Sequence, residues 1–399
     1  MRILLTSNAS HEPPRGGSTR SNLLWLQSLV SRGHECQVVC PAWNATTDST
    51  VEVNGIVIHR YAELAKHPAV LAERIRAFSP DWVLVSSEDL SHSLLWQAAS
   101  AASGRIVYIA HTPQFLPFGP ESWNPDPKAT RIVRDARAVV AIGRHMAGYI
   151  EQHAGRPAVV IHPPTYGTPP YPSYSNFGRG FVSMINPCAV KGIAIFAELA
   201  KRFPDVPFAA LKGWGTTSED RALLETLPNV RLLDPIKNID ELLSQTTVLL
   251  MPSLWYEGFG LITMEAMLRG VPVIASDSGG LMEAKEGTGF VIPVRPIREY
   301  HRAFDENHMP MPVVEEQDIA PWADALRTLL TDRACYEAES ARSREAGLRF
   351  VQGLRAEAFE EMLASLTPAP VQRPMDLEER LRQLSPEKRA LFLQRLRKK

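Results

Sequence analysis

The sequence predicts an α/β protein made of two doubly wound units, and three observations lead there. Its 399 residues exceed what one hydrophobic core ordinarily organises. Short, nearly continuous apolar runs alternate with helix-length amphipathic stretches, the pattern of a parallel sheet covered on both faces. The alternation stops at a stretch rich in proline and glycine, from Pro163 and Pro164 to Gly178 and Gly180, and then starts again.

In chain order, Ile3–Thr6, Gln37–Cys40, Ile56–His59, Trp82–Val85, Ile106–Ile109, Val139–Ile142 and Val159–Ile161 read as strands of the first unit. Between most of them lie amphipathic segments such as Arg20–Arg32, where Leu23, Leu26, Leu29 and Val30 share a face. The second unit reads as Phe181–Ile185, Phe208–Leu211, Val230–Leu233, Val248–Met251, Val273–Ala275 and Phe290–Ile292. The units are expected over 1–165 and 181–340, with a linker over 166–180. Helices over 341–366 are expected to cross back to the first unit. A linker and charged helical tail follow over 367–399. In such sheets ligands sit at the carboxyl ends of the strands, here the cleft where the units face each other.

Composition removes several classes of function. Lysine plus arginine number 43 against 44 acids, so the net charge of −1 gives no electrostatic motive for wholesale nucleic-acid binding. No apolar run approaches the roughly 20 residues of a membrane-spanning helix. Polar residues follow Ile3-Leu4-Leu5 at once, so no signal peptide is expected. Cys36, Cys40, Cys188 and Cys335 have neither zinc nor disulfide spacing, which suits a reducing cytoplasm.

The chemistry concentrates between Trp255 and Ala275. An apolar strand ending at Pro252 runs into a glycine loop, and a helix is expected to open near Leu261. Gly258 and Gly260 let backbone approach a ligand, and the N–H groups of a helix start can bind phosphate oxygens. Glu257 and Glu265 stand before and inside that helix, so both carboxylates can accept from hydroxyls of a ligand in one cleft.

With these residues in order, the sequence resembles the retaining glycosyltransferases of family 4, whose GT-B fold sets two Rossmann-like domains face to face. Glu257 and Glu265 match the family's E-x7-E pattern. Gly16-Gly17, Arg32-Gly-His-Glu, Lys191-Gly192, Leu211-Lys-Gly-Trp-Gly, Gly270-Val-Pro-Val-Ile-Ala, Gly279-Gly280 with Glu283, and Gly287-Thr-Gly-Phe extend the match over roughly residues 1–365. The resemblance implies a nucleotide-sugar donor, with Glu257 on its sugar hydroxyls and Glu265 on its ribose. Lys191 would neutralise the diphosphate, where a leaving group gains charge. Backbone N–H groups of Phe259, Gly260, Leu261 and Ile262 would hold phosphate and sugar, and Gly16 and Gly17 would approach the phosphates. His111 matches the family's cleft histidine. No metal or other cofactor is expected, since no Asp-x-Asp motif is present to hold a magnesium diphosphate.

The sequence departs from the family at Asn186, where an arginine usually stands five residues before the lysine. Asparagine can contact a phosphate but adds no charge, so either another cation such as Arg15 or Lys212 compensates or the diphosphate is bound more weakly. Taken singly, each motif has a plainer reading: an acidic pair on a solvated helix face, a glycine turn, a surface lysine, a satisfied strand-end histidine. Their order, each at a strand end, favours function. Ser276-Asp-Ser-Gly-Gly280 resembles a serine-protease segment but follows a parallel strand, so it reads as a turn. His301 and His308 read as a solvated loop because their spacing fits no metal site.

The leading expectation is therefore a retaining glycosyltransferase acting on a small-molecule acceptor. A transferase of lipid or polysaccharide synthesis, an epimerase or phosphorylase on a related scaffold, and a non-catalytic nucleotide-binding domain are the alternatives. The tail Asp376–Lys399, with eight basic and four acidic residues, resembles the short leader before condensation domains of nonribosomal peptide synthetases. That resemblance implies an assembly-line partner and a peptide or polyketide acceptor. An amphipathic helix on its own domain, or a basic helix on anionic lipid, fits the same pattern.

Overall fold

Strands of the first unit form because their β-branched and aromatic runs are buried on both sides. The computed structural model describes residues 1–42 and 45–368; the expectation for the tail lies outside the described residues. The strands are β1 (Arg2–Thr6), β2 (Glu35–Pro41), β3 (Ser49–Val53), β4 (Ile56–Tyr61), β5 (Trp82–Ser86), β6 (Ile106–Ala110), β7 (Ala138–Ala141) and β8 (Val159–Val160). They make one eight-stranded sheet in the order β3-β4-β2-β1-β5-β6-β7-β8. Every residue of β5, β6 and β7 is buried, as helices on both faces require.

The edge strand β3 departs from the expected pattern. It pairs antiparallel with β4 through Asn54-Gly55, both at positive φ (50° and 76°), the conformation of a tight hairpin turn. Its burial alternates between half-buried and exposed, as an edge strand's does.

After an irregular stretch the second sheet follows: β9 (Phe181–Ile185), β10 (Phe208–Leu211), β11 (Val230–Leu233), β12 (Thr246–Met251), β13 (Val273–Ser276) and β14 (Val291–Ile292). All its pairings are parallel, in the order β11-β10-β9-β12-β13-β14. The segment around His301 and His308 is not a plain loop. β15 (Tyr300–Phe304) and β16 (Pro310–Pro312) form an antiparallel hairpin there. It is tied to the second unit where the Glu306 carboxylate accepts from Ser218 N and Oγ, each at 2.6 Å.

The chain ends its described course on the first unit. The helix Arg333–Gln352 runs unbroken through position 341, and Ala358–Ser365 follows. Phe359, Met362 and Leu363 are buried in the same apolar cluster as Ile3 and Leu26, and Phe359 stacks on Trp25 at 5.1 Å. Each such side chain contributes about 1.5–3 kcal/mol when buried. Cys36 and Cys40 lie inside β2, where burial pushes their thiols up to about 12 and about 11. They are inert at neutral pH.

Candidate active site

The carboxyl ends of both sheets meet along one cleft, and glycines set how closely its walls approach. Lys191 ends a short 3-10 turn, Ala189–Lys191, and Gly192 follows at φ 79°. A Cβ on Gly192 would lie 2.1 Å from the Pro252 carbonyl oxygen. Only glycine lets these two segments touch, and that contact sets Lys191 beside the loop Pro252–Gly260. The Lys191 ammonium there donates to Glu257 Oε1, which also accepts from Ser253 Oγ, and it lies 4.4 Å from the centre of the Trp255 ring. Two of the expected site residues are thus in direct contact, as a buried ion pair.

The helix Leu261–Leu268 starts at Gly260, whose φ of 94° is left-handed, and no side chain caps it. Its first N–H groups therefore lack an intrahelical acceptor, the arrangement that suits an anion. Glu265 is buried one turn in. Arg20 of the first helix, Gly17–Ser31, reaches across the cleft to within 3.0 Å of Glu265 Oε1. The same oxygen has no hydrogen bond of good geometry, so the contact is an ion pair with the guanidinium out of line. Burial raises the Glu265 carboxyl above the usual range, against the pull of Arg20 and Arg269.

Gly16 and Gly17 open that first helix on the facing wall. Gly16, at φ 93°, lies against Trp214, and Gly17 lies against Leu261, so both glycines approach the second unit. Gly258 touches the first unit still more closely: a Cβ there would lie 1.9 Å from the His111 carbonyl oxygen. Phe259 is buried between His162 and Phe350 and anchors the interface from inside. Leu261 and Ile262 are half-buried at the helix start.

His111 sits at the end of β6, buried. Its Nε2 faces Asn22 Oδ1 at 3.0 Å, and the Asn22 amide nitrogen faces Ser86 Oγ at 3.0 Å and His11 Nε2 at 3.4 Å. His11 Nδ1 faces the Ala9 carbonyl at 3.0 Å and must donate. The hydrogen-bond pattern assigns the proton to Nδ1 of His11 and to Nε2 of His111. Burial pushes His11 down to about 4 and lowers His111 as well, so both rings are neutral at pH 7.

Asn186 does not join Lys191 and Glu257. It takes the left-handed conformation (φ 56°), its Oδ1 accepts from Gly215 N at 2.8 Å, and its buried Nδ2 has no partner. Lys212, the other cation expected to compensate, is paired with the exposed Asp234 at 2.5 Å. Arg20 was not anticipated; its only sequence signal is its place in the first turn after Gly16-Gly17. Glu283 takes a structural post: buried, it accepts from His145 N at 3.0 Å and lies 2.8 Å from His162 Nε2, joining the two units. Burial pushes its carboxyl up, and the bonds from His162, Arg144 and His145 outweigh that and hold it below the usual range.

A cavity of 670 Å³ opens beside this joint, between the helix Arg144–Ala154 and Tyr256, with Glu121, His145, Tyr149 and His153 on its walls. Lys191 and Glu265 do not line it. Among the described residues, no group of His, Cys, Asp and Glu could hold a metal ion, and no helix is long and apolar enough to cross a membrane.

Comparison with known proteins bears on the cleft as a whole. The family model for Glycosyltransferase Family 4 matches residues 15–165, and that for Glycosyl transferases group 1 matches residues 179–332. With a glycosyltransferase model on each unit, the chain belongs to the GT4-like glycosyltransferase family. The two models divide it at the same irregular stretch that separates the sheets. This GT4-like chain is 30% identical over 194 residues to D-inositol 3-phosphate glycosyltransferase of Corynebacterium urealyticum. It is 34% identical over 116 residues to alpha-maltose-1-phosphate synthase of Mycolicibacterium smegmatis. The matches take in 45% and 26% of this chain, and only 40% and 30% of those relatives. Sucrose-phosphate synthase from Thermosynechococcus elongatus superposes with a TM-score of 0.67 at 18% identity, covering 91% of this chain and 96% of that one. Anabaena HepE in complex with UDP and glucose gives 0.65 at 18%, covering 92% and 100%. Such similarity shows the fold: GT-B, two Rossmann-like domains.

Proposed function

We propose that this chain moves a sugar from a nucleoside diphosphate donor to a small-molecule acceptor, with retention of configuration and without a metal ion. The observation that carries the reading is the meeting of Lys191 and Glu257 beside a glycine-opened, uncapped helix that carries Glu265. UDP and glucose in the HepE structure are the kind of ligand such a site would take.

Donor binding would exchange partners within the cleft. Lys191 passes from Glu257 to the diphosphate, where negative charge grows as the bond from the sugar's anomeric carbon to the phosphate oxygen breaks. The N–H groups at Gly260–Ile262 share that charge. Glu257, released, accepts from sugar hydroxyls, and Glu265 accepts from the ribose. The acceptor oxygen forms its new bond on the face the diphosphate leaves, and a departing phosphate oxygen takes the acceptor's proton. The protein's work is positioning and charge stabilisation, which suits a cleft wall where His11 and His111 are neutral.

The acceptor is a small molecule, and the tail resemblance favours a peptide or polyketide presented by an assembly-line partner. A cytoplasmic location is part of this reading, supported by four cysteines without disulfide spacing. A thermal-shift screen with UDP, GDP, ADP and dTDP tests the donor reading, because a ligand bound only by the native state raises its melting temperature. One of the four should do so, and turnover with the matching sugar donor should survive EDTA. Loss of turnover in EDTA with recovery on adding magnesium or manganese would overturn the metal-free reading.

A further inference from the structure

A diphosphate gains negative charge as its sugar leaves, and in a closed cleft that charge needs cations around it. On the second unit's wall Lys191 offers one. Asn186, just after β9, is neutral. Arg269 is buried and already committed: its Nε and Nη2 hold the Asp240 carboxylate, and its Nη1 donates to the Glu265 carbonyl at 3.1 Å. Lys212, at the end of β10, is paired with the exposed Asp234. A second charge beside the helix start at Leu261 comes from the facing unit.

Gly17 is the first residue of the helix Gly17–Ser31, and Leu261 is the first residue of the helix that carries Glu265. The two touch: a Cβ on Gly17 would lie 3.0 Å from Leu261 Cδ1. Two helix N-termini therefore meet across the cleft, and no side chain caps either of them. Two positive dipole ends facing each other favour an anion between them. Arg20 lies one turn into the first helix and Glu265 one turn into the second. Long side chains on a helix lean back toward its N-terminus, which brings both head groups to this junction. There Arg20 Nη2 donates to the Thr165 carbonyl at 2.7 Å, while Nη1 lies 3.0 Å from Glu265 Oε1.

The junction is polar, buried and unfinished. Glu265 Oε1 has no hydrogen bond of good geometry although a guanidinium stands beside it. Thr263 Oγ1, in the first turn of the same helix, is fully buried and has no partner. Thr165 Oγ1, on the residue whose carbonyl Arg20 holds, is buried and has none either. Buried polar atoms nearly always find partners within a native protein, so three without them at one junction mark a place for a ligand's own groups. The Arg20 side chain is 46% exposed against 5% for Glu265, so the guanidinium faces the open cleft. An exposed, out-of-line ion pair costs little to part.

We infer that Arg20 supplies the second positive charge to the donor's diphosphate, so that the donor is held by one cation from each unit, Lys191 and Arg20. The inference rests on the glycosyltransferase reading and adds a donor-binding residue to it. Two ion pairs open together as the donor enters: Lys191 leaves Glu257 and Arg20 leaves Glu265. Both cations turn to phosphate oxygens, and the two carboxylates turn to the hydroxyls of sugar and ribose. The planar guanidinium can keep its bond to Thr165 through Nη2 while Nη1 changes partner. Donor binding is thereby tied to the segment that joins the two units.

The test is titration calorimetry on the full chain with whichever of UDP, GDP, ADP and dTDP raises its melting temperature. Arg20→Gln should weaken binding by at least about tenfold, a difference of roughly 1.4 kcal/mol. Arg20→Lys, which keeps the charge, should lose less. Glu265→Gln separates contact with the diphosphate from a merely positioning role. If Arg20 only orients Glu265, Arg20→Gln costs nothing further once Glu265 is changed; a contact with the diphosphate costs about the same in both backgrounds. Melting curves establish that each variant is folded, and the pair Arg20→Gln and Arg20→Lys keeps the test alive if Glu265→Gln does not fold. Unchanged affinity in Arg20→Gln overturns the inference. So do equal losses in Arg20→Gln and Arg20→Lys, or a loss that disappears in the Glu265→Gln background. If no nucleoside diphosphate binds the unaltered chain, the glycosyltransferase reading has failed first, and this one falls with it.

Discussion

The two walls of the cleft solve the problem of buried polar groups in opposite ways. The second unit's wall is ionic: Lys191 with Glu257, and Arg269 with Asp240 and the Glu265 carbonyl. The first unit's wall carries a neutral relay, His11–Asn22–His111, kept uncharged by burial. An ion pair can be redirected to an incoming charge, because each partner keeps its charge when they separate. A neutral network orients atoms without that reserve. The ionic wall therefore suits a diphosphate and the neutral wall suits hydroxyl groups.

Acid should strike the neutral wall first. His11 is held down to about 4 and His67, bonded to Thr6 and Asn8, to about 3, both chiefly by burial. The unfolded chain protonates these rings near 6.5, and the folded chain does so only at those lower values. Between the two the unfolded state binds more protons, so stability falls as pH drops from about 6.5 toward 4. His11 alone accounts for a loss on the order of 3 kcal/mol. Denaturant melts between pH 7 and 4.5 would show this; a flat profile would mean the relay carries charge.

On the ionic wall, Glu257→Ala and Lys191→Ala should each cost at least about 2 kcal/mol of transition-state stabilisation, roughly thirtyfold in kcat/KM. Glu265→Ala should act mainly on donor affinity, since ribose is remote from the reacting bond. Near-wild-type turnover of Glu257→Ala would equate the two walls.

The glycines sharpen the contrast at smaller cost. Gly16 and Gly260 open facing helices at φ 93° and 94°, Gly260 in the left-handed region (ψ 57°) and Gly16 in an extended conformation that only glycine ordinarily takes (ψ −173°), so alanine at either meets backbone strain of about 1–3 kcal/mol. At Gly260 the added methyl also lies 2.5 Å from Leu281 Cδ2, whereas at Gly16 the nearest atom, Trp214 Cδ1, is 3.4 Å away. Gly260→Ala should lower the melting temperature more than Gly16→Ala. A loss at Gly16 as large as that at Gly260 would show that backbone strain outweighs the contact with Leu281. The smallest effect belongs to removal of everything after Leu366: the melting temperature and turnover on a free acceptor should not change, while transfer to a carrier-linked acceptor should fall. A large drop in melting temperature would remove the assembly-line reading.

Much of this was legible in the sequence because it is local. Strand ends announce themselves by apolar runs, and the opening of a helix at Leu261 follows from Gly258 and Gly260. The spacing of Glu257 and Glu265 then places both near one cleft. Val51-Glu-Val-Asn-Gly-Ile-Val-Ile58 also carried its signal, an Asn-Gly turn between alternating apolar residues, and went unread because the surrounding alternation argued for parallel strands. What could not be read is non-local. Arg20 meets Glu265 across 245 positions of sequence only because two sheets face each other. Lys212 looks as free as Lys191 until Asp234 of the neighbouring strand end is seen beside it. Thr263 becomes informative only once its buried oxygen proves to have no partner.

The last described helix has a consequence for how this chain is made. Trp25 and Leu26 belong to a core that is completed by Phe359 and Leu363, more than three hundred residues later. During synthesis the first unit emerges early with that apolar face uncovered, and it stays uncovered until nearly the whole polypeptide has left the ribosome. The second unit draws its buried core from one later stretch, from Val182 to Ala346, and can close soon after that stretch emerges. The half that is translated first is therefore finished last, and a chain stalled before Phe359 would present Trp25 to chaperones.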